Sequence, residues 1–243
     1  MEHRWFVGTS GWNYDHWKEV FYPTGLPTSE WLTFYAQHFD TVEINFSFYR
    51  LPERQTFEKW RRESPAGFTF AVKASRYLTH QKKLKEPEES LTRIISHARG
   101  LGEKLGPILY QLPPRWKVNT NRLREFLPLL PRDIRHVMEF RDPSWLVDEV
   151  FELLREHSVG YCIMSAPGLP RAMKVTAPFA YIRMHSGGYD TEGNYEEPQL
   201  EWWAEQVKAF LRTVDVYVYF NNDYKGFALQ NARRLIELVE TQE

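Results

Sequence analysis

One cysteine in 243 residues excludes a disulfide framework and a cysteine-built zinc or iron–sulfur centre. No stretch approaches the roughly 18 apolar residues that a membrane-spanning helix needs. The opening MEHRWFVGTS lacks the apolar run of a secretory signal. The expectation is a reduced, cytoplasmic chain with no membrane partner. An excess of one charge is also missing. Lys and Arg total 31 against 32 Asp and Glu, so there is no generally basic coat for nucleic acid, which leaves only a local patch for that role. A Walker loop, a dinucleotide glycine fingerprint and an HExxH motif are absent. GTSG at positions 8–11 is not a nucleophile elbow. Repeats, low-complexity tracts and linkers are absent as well, so residues 1–243 read as a single domain.

What the chain does contain is an alternation. Short apolar or β-branched runs at 5–12, 41–50, 68–75, 108–112, 135–141, 160–165, 179–185 and 216–222 read as strands. Amphipathic stretches with helical spacing lie between most of them, at 52–63, 88–105, 120–130, 146–157, 199–211 and 227–239. Eight strands alternating with helices in a chain of this length predict an α/β fold, a closed (β/α)8 TIM-type barrel. Between Ser165 and Phe179 the sequence APGLPRAMKVTAP has too many prolines for a full helix, so an irregular or missing helix is expected after strand six.

Side chains alternate between the two faces of a strand, and the face toward the outer helices must be apolar. On the second strand Val42, Ile44, Phe46 and Phe48 form the apolar set, so Glu43, Asn45, Ser47 and Tyr49 should point to the barrel axis. The same phase sends inward Lys73 and Ser75 on strand three, Gln111 on strand four and Glu139 with Arg141 on strand five. It also sends inward Ser165 on strand six, and Tyr181, Arg183 and His185 on strand seven. On strand eight the phase leaves two options, Asn222 or Asn221 with Asp223. These polar residues gather at the C-terminal strand ends, where barrels of this type hold their active sites. Five formal charges inside a barrel are costly unless partnered. Glu43 and Glu139 face Lys73, Arg141 and Arg183, one positive charge too many for a closed network and suited to an anionic guest.

The motifs GTSGW (8–12), VEINFSFYR (42–50), FTFAVKAS with the nearby THQ (68–81), LYQLPP (109–114), MEFRDPSW (138–145), YIRMHSG (181–187) and VYFNND (218–223) occur in order along nearly the whole chain. Together they resemble the YecE-like family, domain of unknown function 72. The resemblance implies a TIM-type barrel. Ser47 and Asp142 depart from the pattern, where Thr and His are expected, and Asp142 removes a titrating group from the loop after strand five.

The candidate chemistry is general acid/base catalysis by Glu43, Glu139 and His185 on an anionic, phosphate-bearing small molecule or nucleotide. Asn45, Tyr49, Lys73, Gln111, Arg141, Arg183, Asn222, Trp12 and Trp145 are the expected substrate contacts. Arg141, on the face of Glu139, favours a base role for that carboxylate, and Glu43 is then the acid partner. Ser186, Gly187 and Gly188 form a glycine turn of the kind that cradles phosphate after strand seven. No cofactor is expected. A single divalent cation on the carboxylates is the weaker option, because the chain lacks the histidines of a multi-zinc cage. Two further readings compete. One is a nucleic-acid-binding barrel that uses a rim of rings (Trp12, Tyr14, Trp17, Tyr49, Tyr77, Trp116, Trp145, Tyr189, Tyr195, Tyr224) with interleaved Arg50, Arg76, Arg115 and Lys225. The other is a glycosidase-like hydrolase with two carboxylates. A purely structural ion-pair network is the bland alternative.

Overall fold

The computed structural model describes residues 3–241. Eight parallel strands close into a barrel in sequence order: β1 (Trp5–Ser10), β2 (Thr41–Ile44), β3 (Thr69–Lys73), β4 (Leu105–Gln111), β5 (His136–Glu139), β6 (Gly160–Ser165), β7 (Phe179–Met184) and β8 (Asp215–Phe220), with β8 paired back to β1. Helices α1 (Trp31–Tyr35), α2 (Arg54–Glu63), α3 (Glu88–Ala98), α4 (Thr120–Phe126) and α5 (Asp148–Glu156) follow the first five strands. Helices α6 (Glu197–Leu211) and α7 (Phe227–Glu240) follow β7 and β8. No helix connects β6 to β7, as the prolines required.

Two apolar clusters result from the strand alternation. Phe6, Ala71, Leu109, Val137, Cys162, Met164, Phe179, Tyr181, Tyr217 and Tyr219 fill the barrel interior. Val42, Ile44, Phe70, Val72, Ile108, Met138, Ile182 and Val218 pack outward on the helices. The lower interior is aromatic, with Phe6 stacked on Tyr217 at 4.9 Å. Gly8 is obligatory at its place, because a Cβ there would sit 2.2 Å from the Thr41 carbonyl oxygen and push β1 off β2.

Two expectations fail, each for a local reason, and the choice left open on strand eight is resolved. Strand β2 stops at Ile44, because Asn45 turns into the helical region and Phe46–Phe48 form a 3-10 turn. Pleat parity therefore does not extend to Asn45, Ser47 and Tyr49. Phe46 and Tyr49 are exposed, and Ser47 is buried with its hydroxyl on the carbonyls of Ile44 (2.9 Å) and Lys73 (2.6 Å). On β6, Cys162 and Met164 take the inner face, so Ser165 points outward, where its hydroxyl accepts from the Trp203 indole at 3.2 Å. On β8, Tyr217 and Tyr219 point inward, so Asn221 comes next to the axis.

Candidate functional site at the barrel mouth

The top interior layer is ionic. It is built where inward residues end their strands: Ser10 on β1, Glu43 on β2, Lys73 on β3, Gln111 on β4, Glu139 on β5 and Arg183 on β7. Glu43, Glu139 and Arg183 are fully buried. The Arg183 guanidinium donates through Nη2 to Glu43 Oε1 at 2.7 Å and through Nη1 to Glu139 Oε2 at 2.8 Å. Glu43 also accepts from the Ser10 hydroxyl (2.7 Å) and the Tyr181 phenol (2.6 Å). Glu139 accepts from the Gln111 amide at 2.7 Å and from Nε of Arg141. Such dense pairing is what makes buried charge tolerable.

Above this layer the mouth opens. Arg141, 22% exposed, extends from Glu139 toward His185, with Nη2 3.2 Å from the imidazole Nε2. Arg183 Nη1 lies 3.4 Å from the same nitrogen. Guanidinium groups only donate, so Nε2 accepts in these two contacts, while Nδ1 faces the Asn221 side-chain nitrogen at 3.1 Å. Burial, and then Arg183, hold the His185 pKa well below its ordinary value, so the ring is neutral near pH 7. Burial alone would raise the Glu139 pKa, but Arg183 and Arg141 overcome it and keep the carboxylate ionised. Both carboxylates are bound to the same guanidinium, so an acid and a base made by contrasting surroundings, as the sequence suggested, is not what the geometry presents.

Lys73 is the cation left over. It is 6% exposed, its Nζ sits 4.1 Å over the Phe48 ring, and its ammonium has no hydrogen bond or ion pair among the described residues. Burial, and then Arg183, push its pKa down to about 8. His80, from the π-helical turn Tyr77–Gln81 after β3, packs edge-on against the same Phe48 ring at 5.0 Å. Burial, and then Lys73, lower its pKa.

The structure brings Glu43, Glu139, His185, Lys73, Gln111, Arg141 and Arg183 together, and separates others from them. Asn222 turns away, with its amide donating to Asn231 Oδ1 (2.8 Å) and the Gly193 carbonyl (3.0 Å). Trp145 is fully buried behind the rim, stacked on Phe140 at 4.8 Å and bonded through its indole to the Trp116 carbonyl. Trp17 and Tyr195 are likewise buried. In the glycine turn after β7 two of the three amides are not available to a phosphate, since the Ser186 N–H is taken by the Ser165 carbonyl and Tyr195 phenol and that of Gly187 by Gly193. Pattern reading turned Tyr181 inward and offered Asn221 as one of two options without giving either a role, and it gave none to Ser10 or His80. Ser10 was detectable in principle, as an inward polar group one strand away from Glu43, whereas Tyr181 reaches Glu43 from across the barrel.

Two recesses flank the ionic layer. Trp12, Tyr14, Asn45, Phe46, Tyr49 and Trp60 line one of about 490 Å³. His185, Tyr189, Asn221, Asp223 and Tyr224 line the other, of about 470 Å³. Asp223 ties the loop after β8 to the loop after β1, accepting from the Trp17 indole (2.7 Å) and pairing with His16 (2.9 Å). Burial pushes its pKa up to about 6, against the pull of His16. No cluster of three His, Cys, Asp or Glu side chains disposed to hold a metal occurs among the described residues. No helix there is long and apolar enough to cross a membrane.

Comparison with known proteins gives a consistent picture. A family model described as "Protein of unknown function DUF72" matches residues 6–243. The UPF0759 protein YunF of Bacillus subtilis (strain 168) is 25% identical, covering 98% of this chain and 95% of YunF. The UPF0759 protein YecE of Escherichia coli (strain K12) is 26% identical over 58% of this chain and 49% of YecE. A crystal structure of a DUF72 family protein from Thermotoga maritima MSB8 superposes with a TM-score of 0.86 at 32% identity, covering 98% of this chain and all of that one.

Proposed function

The chain belongs to the DUF72 family, and on that premise we propose that it is an enzyme acting on an anionic substrate, carboxylate- or phosphate-bearing, at the C-terminal mouth of its barrel. One observation carries this reading. Two buried carboxylates are consumed by Arg183 and Arg141, and Lys73 is left without an acidic partner. A cationic surplus in a largely dehydrated site is relieved by a bound anion. Arg141 is the exposed anchor, and its planar guanidinium suits a carboxylate or phosphate. Neutral His185, at the edge of the recess, is the candidate proton acceptor. Glu43 and Glu139 act through Arg183, fixing its position and keeping it charged.

The test is binding. Thermal shift and tryptophan fluorescence should respond to inorganic phosphate, phosphosugars or nucleotides in the wild type and not in Arg141→Gln. Silence toward every anion refutes the reading.

A second reading has its own support. Tyr49, Tyr77, Tyr189 and Tyr224 are exposed on the loops after β2, β3, β7 and β8, and exposed Arg50, Arg76 and Lys225 stand beside three of them. Rings with interleaved cations suit single-stranded nucleic acid, which an oligonucleotide affinity that falls steeply with salt would reveal. Glycoside hydrolysis is the least favoured, because both carboxylates are already engaged.

A further inference from the structure

We propose that Lys73 is an amine nucleophile that forms an imine with a substrate carrying an aldehyde or ketone next to its anionic group. The inference rests on the anionic-substrate reading above and names the substrate class. An ordinary buried lysine ends on a carboxylate or on carbonyl oxygens. Lys104 shows this within the same chain, with its Nζ donating to the carbonyls of Arg61 (2.7 Å) and Ser64 (2.6 Å) and to the Ser64 hydroxyl (3.0 Å). Lys73 has no such anchor. It stands at the C-terminal end of β3, nine-tenths buried, with its head over the face of Phe48 and His80 on the edge of the same ring. The charged groups around it come from several elements: Arg183 on β7, Glu139 on β5 with Arg141 just beyond it, and Glu43 on β2. Burial and a cationic neighbour are the two recognised means of making a lysine amine available without protons. With a pKa near 8, about a tenth of Lys73 is neutral at pH 7.

The step balances. The lone pair of neutral Nζ adds to the carbonyl carbon, forming a C–N bond while the C=O π electrons move to oxygen. One proton passes from nitrogen to that oxygen, giving a carbinolamine. The nitrogen lone pair then expels the hydroxyl, which takes the second nitrogen proton and leaves as water, and the C=N bond remains. His80, on the same ring, is placed to carry the proton between nitrogen and oxygen, and Arg141 holds the substrate's carboxylate or phosphate.

The experiment is reductive trapping on the full chain. Glyoxylate, an aldehyde with a carboxylate, and acetaldehyde, its neutral counterpart, are supplied separately with sodium cyanoborohydride, and modified lysines are located by peptide mass spectrometry. Lys73 should label with glyoxylate at least ten-fold faster than exposed lysines such as Lys59 and Lys83, with a rate that rises through pH 8 and is slowed by inorganic phosphate. Lys73→Met should remove that fast label while the slow surface labelling persists. Labelling of Lys73 no faster than of Lys59 overturns the proposal, and phosphate binding measured on the same sample then shows whether the anion site survives it. Fast labelling that is indifferent to phosphate and equal for acetaldehyde supports the nucleophile and refutes the anion anchor.

Discussion

Glu43 and Glu139, on strands separated by two others, are joined through opposite nitrogens of one guanidinium, at 2.7 Å and 2.8 Å from Arg183. Three fully buried charges thus form a single unit, and its members cannot be removed independently. Removing one partner leaves a charge stranded in a dry interior.

Glu139→Gln should therefore destabilise the fold by about 3–5 kcal/mol, since it strips both Arg183 and Arg141 of a counter-charge. The triple change Glu43→Leu, Glu139→Leu and Arg183→Met should recover part of that loss, because it removes three buried charges together and leaves Arg141, 22% exposed, to water. Urea unfolding monitored by circular dichroism measures both. A triple variant less stable than the single one would contradict this account.

Arg141→Gln should behave differently. Its side chain is 22% exposed, so the change should cost no more than about 1.5 kcal/mol of stability. Phosphate affinity should nevertheless fall at least ten-fold, as read by calorimetry.

For Lys73 the direction of the pH effect follows from its lowered pKa. The folded state holds the proton less tightly than the unfolded chain, so between about 8 and 10.5 the unfolded state binds more protons and stability rises with pH. Lys73→Met should lose this rise, and near pH 7 it should be more stable than the wild type by roughly 1–3 kcal/mol. Melting temperatures compared at pH 7 and pH 10 test the sign. A variant that melts lower at pH 7 would show that the ammonium is stabilised after all.

Asp223 runs the other way. Its folded pKa is raised from 3.8 to about 6, so its protonated form is favoured by folding and its contribution is lost as pH rises through about 6. The Trp17 indole donates to this carboxyl, so tryptophan fluorescence should titrate with a midpoint near 6. Asp223→Asn should flatten that curve. An unchanged curve in the variant would assign the titration elsewhere.

Much of the ionic layer was legible from alternation alone. Lys73, Gln111, Glu139 and Arg183 lie on well-formed strands whose other face is unmistakably apolar, and parity is reliable there. It failed where the backbone left the pleat, at Asn45, and where both faces of a strand are buried and a polar atom is satisfied on the outer one, as Ser165 is by Trp203. Trp145 misled because a ring in a loop looks like a rim residue until its indole is seen to end on a main-chain carbonyl beneath the surface. His80 went unassigned because its approach to Phe48 depends on a π-helical turn, which leaves no mark in hydrophobic spacing.

The Arg183 bridge also constrains how such a chain can change over generations. A barrel interior of aliphatic side chains can drift one methylene at a time, each step costing about 1 kcal/mol. Here any first step away from Glu43, Glu139 or Arg183 lands in a valley, and only a concerted exchange reaches the far side. The upper layer is therefore expected to change only as a unit, whereas the loops above it carry no such coupling.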